Sequence, residues 1–123
     1  VDSKVIARER ICEVLRANRY GPREVTVRIN HLTSPWGTDD ARSVAAAGAD
    51  AIVLPKVEST EEVHLLKQIL GDTCPSVWCM IETPLGVLRA ENLAALPEVG
   101  CLVMGTSDLS ADLHAEGGGE RTP

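Results

Sequence analysis

Short apolar runs rich in β-branched residues recur along the chain at Val25–Asn30, Ala51–Val57, Val77–Thr83 and Cys101–Gly105, each bounded by Gly or Pro. Their nearly continuous apolar character predicts short strands buried on both faces. Stretches with helical spacing lie between them: Asp39–Ala47, Glu61–Leu70 with Val63, Leu66 and Leu70 along one side, and Val87–Leu96. A further helix over Lys4–Asn18 precedes the first strand, with Val5, Ile11, Cys12 and Leu15 as its apolar stripe. Helix boundaries carry their own signals. Ser59-Thr60-Glu61-Glu62 offers a hydroxyl cap followed by first-turn acids, Thr38-Asp39-Asp40 does likewise, and Gly48 and Gly71 close their helices.

Strand starts near residues 25, 51, 77 and 101 are separated by 26, 26 and 24 residues, the repeat of a β/α unit with short loops. Strict alternation of strand and helix demands a parallel sheet, either an open doubly wound sheet or part of an eight-stranded barrel. Four units fill half of a barrel that needs about 250 residues, so four alone cannot close. The Gly-rich dinucleotide fingerprint and the phosphate loop are both absent from the sequence, which weakens the best-marked open-sheet folds. Residues 1–116 read as one α/β unit and 117–123 as a Gly-rich tail that stops without a closing element.

Twelve Lys and Arg against eighteen Asp and Glu give a net charge of −6, the wrong sign for binding a phosphate backbone, and two Trp, one Tyr and no Phe leave few rings for base stacking. Nucleic acid is thereby disfavoured as a partner. No apolar run approaches the roughly 18 to 20 residues of a membrane-spanning helix. The four cysteines form no C-x-x-C pair and sit mostly in apolar stretches, which predicts free thiols and a reducing, cytoplasmic setting. The chain opens Val1-Asp2-Ser3-Lys4 with no leader and no initiator Met, so it is expected to be a segment without its natural start.

Polar residues interrupt the apolar runs at the carboxyl end of each expected strand: Arg28 and Asn30, Lys56 and Glu58, Glu82 and Thr83, Ser107 and Asp108. A parallel sheet brings these to one rim, where β/α folds build their sites. Glu82 and Asp108 occupy equivalent places on neighbouring strands about 4.8 Å apart, so their carboxylates can converge on one ion. Oxygen ligands without His or thiolate suit Mg²⁺ better than zinc. The alternative is that Asp108 caps a following helix and Glu82 pairs with a lysine. Arg28, between Val27 and Ile29, is expensive to bury without an anion, and its planar fork suits a carboxylate or an oxyanion. A structural ion pair is its alternative role. Lys56 fits positioning or a salt bridge better than Schiff-base chemistry. His31, His64 and His114 share no metal spacing, and no G-x-S-x-G elbow surrounds Ser107 or Ser110.

Taken in order and spacing, Val27-Arg28-Ile29-Asn30, Leu54-Pro55-Lys56-Val57-Glu58-Ser59, Met80-Ile81-Glu82-Thr83-Pro84-Leu85-Gly86 and Met104-Gly105-Thr106-Ser107-Asp108-Leu109, with Ala7-Arg8-Glu9-Arg10 upstream, resemble the citrate lyase beta subunit-like family of the HpcH/HpaI aldolase superfamily. The resemblance implies a partial TIM barrel and a Mg²⁺-dependent carbon–carbon lyase. Its substrates would be malyl-, citramalyl- or citryl-like thioesters of coenzyme A, in a reversible Claisen cleavage or condensation with a 2-oxo acid. Glu82 and Asp108 would be metal ligands, and Arg28, Lys56 and Glu82 would meet substrate, with Arg28 in the catalytic role. The resemblance also implies a homo-oligomer, trimer or hexamer, for the full-length parent. A class II aldolase for free hydroxy-oxo-acids and a non-catalytic remnant are the two rival readings. With the family's first and last strands missing, the isolated chain is expected to be catalytically incompetent.

Overall fold

The computed structural model describes residues 2–17 and 24–105. Helix α1 (Asp2–Arg16) leads into strand β1 (Thr26–Arg28), followed by α2 (Gly37–Ala46), β2 (Ala51–Leu54), α3 (Thr60–Leu70), a 3₁₀ turn (Gly71–Thr73), β3 (Ser76–Ile81), α4 (Pro84–Leu88), α5 (Ala90–Ala94) and β4 (Val99–Met104). The strands form one sheet in the order β1-β2-β3-β4, every neighbouring pair parallel. A doubly wound sheet reverses its strand order and covers both faces with helices. Here the order never reverses and the core lies on one face, which is the arrangement of consecutive units of a TIM barrel.

Register separates the two faces. Val27 pairs with Ile52, Ile52 with Val77 and Leu54 with Cys79. These residues join Ile29 and Ile81 in a core with Val44, Val63, Leu66 and Leu93 from the helices. The alternate residues Arg28, Val53, Trp78 and Cys101 form one row across the opposite, inner face. Only β2 is buried at every position. β1 and β3 instead alternate, because their inner face is not packed by helices. The expectation of strands buried on both faces therefore holds for one strand of the four.

Local chemistry explains most boundaries. Ser59 and Glu62 form a capping box at the start of α3, with the Glu62 carboxylate accepting from the backbone N–H of Ser59 at 3.1 Å and of Glu58 at 2.8 Å. Gly48 and Gly71 follow α2 and α3 with φ of 93° and 57°, conformations that favour glycine. α2 begins at Gly37 with Trp36 at its N-cap and no side-chain cap bond, so Thr38 lies inside the first turn instead of capping it. A Cβ at position 37 would collide with the His31 carbonyl, which ties this helix start to the turn after β1. The helix expected over Val87–Leu96 is two short ones. Thr83 caps the first by accepting from Gly86 N at 3.1 Å, Pro84 stands in its opening turn, and the chain breaks at Arg89. On α1, Cys12 is buried and Leu15 meets the core, whereas Ile11 is exposed along the outer edge of β1.

Candidate functional site

The carboxyl ends of β1, β2 and β3 lie along one edge of the sheet, and the groups with chemistry gather there. Glu82 follows β3 directly and is 7% exposed, one of two buried charged residues among those described. Its Oε2 accepts from the backbone N–H of Lys56 at 2.7 Å. Lys56 takes φ of 48°, the only positive value at a non-glycine residue among those described. That conformation is costly for a side chain other than glycine, and it belongs to the turn that donates to Glu82. Gly105 closes the other side: its N–H bonds Ile81 O at 2.9 Å, and a Cβ there would stand 2.5 Å from Glu82 Cγ and 3.1 Å from Oε1. Glu82 thus occupies a cradle shaped by a left-handed turn and a bare glycine, with no ammonium partner among the described residues.

Arg28 lies on the inner face and is exposed, so no burial cost arises, and it forms no ion pair among the described residues. Through Val53 it is in register with Trp78, four residues before Glu82 and on the same face. The Lys56 side chain is exposed; what it brings to Glu82 is its main chain. Asp108 lies outside the described residues, as do Ser107 and His114. Among the described residues no group of three or more His, Cys, Asp or Glu could hold a metal. Glu82 is the buried acid of this rim, an oxygen donor fixed by one hydrogen bond beside a residue without a side chain, a donor type compatible with a hard cation. Mg²⁺ suits such a sparse set because it keeps several waters and completes its shell from substrate.

Two further clusters join the loops of this rim, and sequence reasoning assigned neither. His31 Nε2 bonds Glu62 Oε1 at 2.9 Å, while its Nδ1 meets Thr33 at Oγ1 (2.8 Å) and at the backbone N–H (3.2 Å). Thr83 Oγ1 donates to Glu58 at 2.9 Å. The loops after β1, β2 and β3 are thereby linked. The second cluster centres on Asp40, 6% exposed, which accepts from Arg8 Nε at 2.8 Å and from Asn30. The signal available in sequence was spacing: Asp40 shares a helix side with Val44, four residues on, and so faces the core.

The cysteines do not take part. All four are free, and Cys12 and Cys79 are buried. Burial, assisted by the nearby Glu62 charge, pushes the Cys79 thiol up to about 12, and burial also raises Cys74. Neither is activated as a nucleophile. No helix among the described residues is long and apolar enough to cross a membrane.

A sequentially ordered parallel sheet with its helices on one face is the arrangement of a β/α-barrel segment. The model of the family described as HpcH/HpaI aldolase/citrate lyase matches residues 1–122, and the chain belongs to that family. A (3S)-malyl-CoA thioesterase of Cereibacter sphaeroides is 38% identical over 112 residues, covering 91% of this chain and 39% of the relative. A malyl-CoA/beta-methylmalyl-CoA/citramalyl-CoA lyase of Chloroflexus aurantiacus is 34% identical over 123 aligned residues, covering 90% and 35%. The solved citrate lyase beta subunit from M. tuberculosis, complexed with oxaloacetate and magnesium, superposes with a TM-score of 0.67 at 27% identity, covering 85% of this chain and 44% of that one. The chain thus spans less than half the length of each of these relatives.

Proposed function

We propose that this chain carries the metal-binding rim of a Mg²⁺-dependent carbon–carbon lyase that reversibly cleaves an acyl-coenzyme A thioester of the malyl, citramalyl or citryl type into a smaller thioester and a 2-oxo acid. The observation that carries this reading is the Glu82 cradle, located where a parallel β/α sheet builds its active site. Names of the matched relatives support the thioester and the lyase chemistry, and the magnesium and oxaloacetate of the solved relative support the metal and the acid.

In this reading Glu82 and Asp108 hold the metal. Lys56 N–H fixes one Glu82 oxygen, so the carboxylate is oriented before any ligand arrives. When bound, Mg²⁺ supplies a Lewis acid for the oxygen whose negative charge changes during reversible Claisen cleavage or condensation. Arg28, unpaired among the described residues, steadies the acid carboxylate or the thioester enolate oxygen. The exposed Lys56 side chain adds positive potential at the mouth. We also assign the parent protein to the cytoplasm and to a homo-oligomer, on free thiols and family kinship respectively.

Calorimetric titration with acetyl-CoA and with pyruvate, each with Mg²⁺, tests the substrate class. Heat from both is expected. Heat from pyruvate alone would favour an aldolase for free acids, and none from either would leave a non-catalytic remnant.

A further inference from the structure

We propose that Asp40 is a positioning residue of this rim. It fixes the turn that follows β1 and thereby the approach of Arg28 to an anionic substrate, an inference that rests on the reading of Arg28 given above. A carboxylate that is 6% exposed must be hydrogen-bonded to remain charged. Asp40 divides its two oxygens between two elements. Oδ1 accepts from Arg8 Nε on α1 at 2.8 Å, and Oδ2 accepts from Asn30 twice, from its backbone N–H at 3.1 Å and its side-chain Nδ2 at 2.7 Å. Asn30 Oδ1 then accepts from Lys4 Nζ at 3.1 Å, and Lys4 stands 5.0 Å from the centroid of the Trp36 ring.

The need for such a clasp follows from the sheet. β1 has three residues and lies at the edge, paired only with β2. Beyond Arg28, one bond from Ile29 N to Val53 O at 3.2 Å continues the ladder, and on the outer side the Asp40–Asn30 pair takes over. Asp40 also determines which cations are committed. Its charge is matched by Arg8, the two forming an ion pair at 2.8 Å. Arg28 therefore keeps its charge on the inner face, with no ion pair among the described residues. Asp40 thus ties helix α1 to the strand end that carries Arg28.

Calorimetry on the full chain, with pyruvate at saturating Mg²⁺ and with Mg²⁺ alone, tests this in wild type, Asp40→Asn, Asn30→Ala and Arg28→Gln. Asn30→Ala leaves the Arg8–Asp40 ion pair in place and so guards against a merely unfolded variant. Asp40→Asn and Asn30→Ala are each expected to weaken pyruvate about tenfold, the loss that follows from a hydrogen bond to a charged group, while leaving Mg²⁺ affinity unchanged. Equal losses of pyruvate and Mg²⁺ affinity in both variants would show general structural damage and overturn the proposal. Pyruvate binding weakened in Arg28→Gln alone would overturn the positioning role and leave the functional reading standing. Pyruvate binding unchanged in all three variants would overturn the role of Arg28 and this inference with it.

Discussion

Glu82 is governed by two neighbours that contribute no side chain to it, and each makes a separable prediction. A methyl group at position 105 would meet Glu82 Cγ at 2.5 Å, so Gly105→Ala should displace the carboxylate. The expected result is a stability loss of about 1–3 kcal/mol by urea unfolding together with at least about tenfold weaker Mg²⁺ binding. At Lys56 the backbone matters more than the ammonium. Lys56→Gly should keep Mg²⁺ affinity, because the N–H remains and φ of 48° suits glycine. Lys56→Val should lose about 1–3 kcal/mol, because a β-branched residue resists that conformation. Cys79 supplies a pH signature. Its folded value of about 12 exceeds the ordinary thiol value of 9.0, so the folded state holds the proton more tightly. That stabilisation is complete below 9 and is lost as pH rises towards 12. Thermal melts of Cys79→Ala should therefore fall less steeply than wild type across this window.

At the scale of elements, loops after three strands are joined by side chains from the helix starts. Glu62 serves α3 as a capping-box acid and also accepts from His31 across the rim. Glu62→Ala is accordingly expected to cost more than an ordinary cap, about 2–3 kcal/mol, and to speed hydrogen exchange at Ser59 N–H. Hydrophobic spacing made the four strands, the three longer helices and their glycine ends readable, since those depend on local periodicity and on backbone freedom. The break at Arg89 was not readable, because Val87–Leu96 keeps helical spacing through it. Glu82 was found as an acid interrupting an apolar run. Asp40 reads in sequence as a first-turn acid like Asp39, although its spacing to Val44 marks a core-facing position. The φ of Lys56 leaves no trace in residue type, and Gly105 acquires its meaning only when β4 pairs beside β3.

For the molecule as a whole, strand order is the decisive observation. Spacing alone allowed a doubly wound sheet or a barrel segment; the unreversed order and single helical face select the barrel segment. Kinship with the HpcH/HpaI aldolase/citrate lyase family, over residues 1–122, agrees with that geometry. In the proposed function the carboxylate caged beneath Gly105 is a metal ligand. Mn²⁺, a spectroscopic substitute for Mg²⁺ with the same preference for oxygen, can be titrated into the full chain by electron paramagnetic resonance with and without pyruvate. One site is expected, which pyruvate tightens and which Glu82→Gln and Asp108→Asn each weaken at least about tenfold. Manganese affinity unchanged by Glu82→Gln would contradict it.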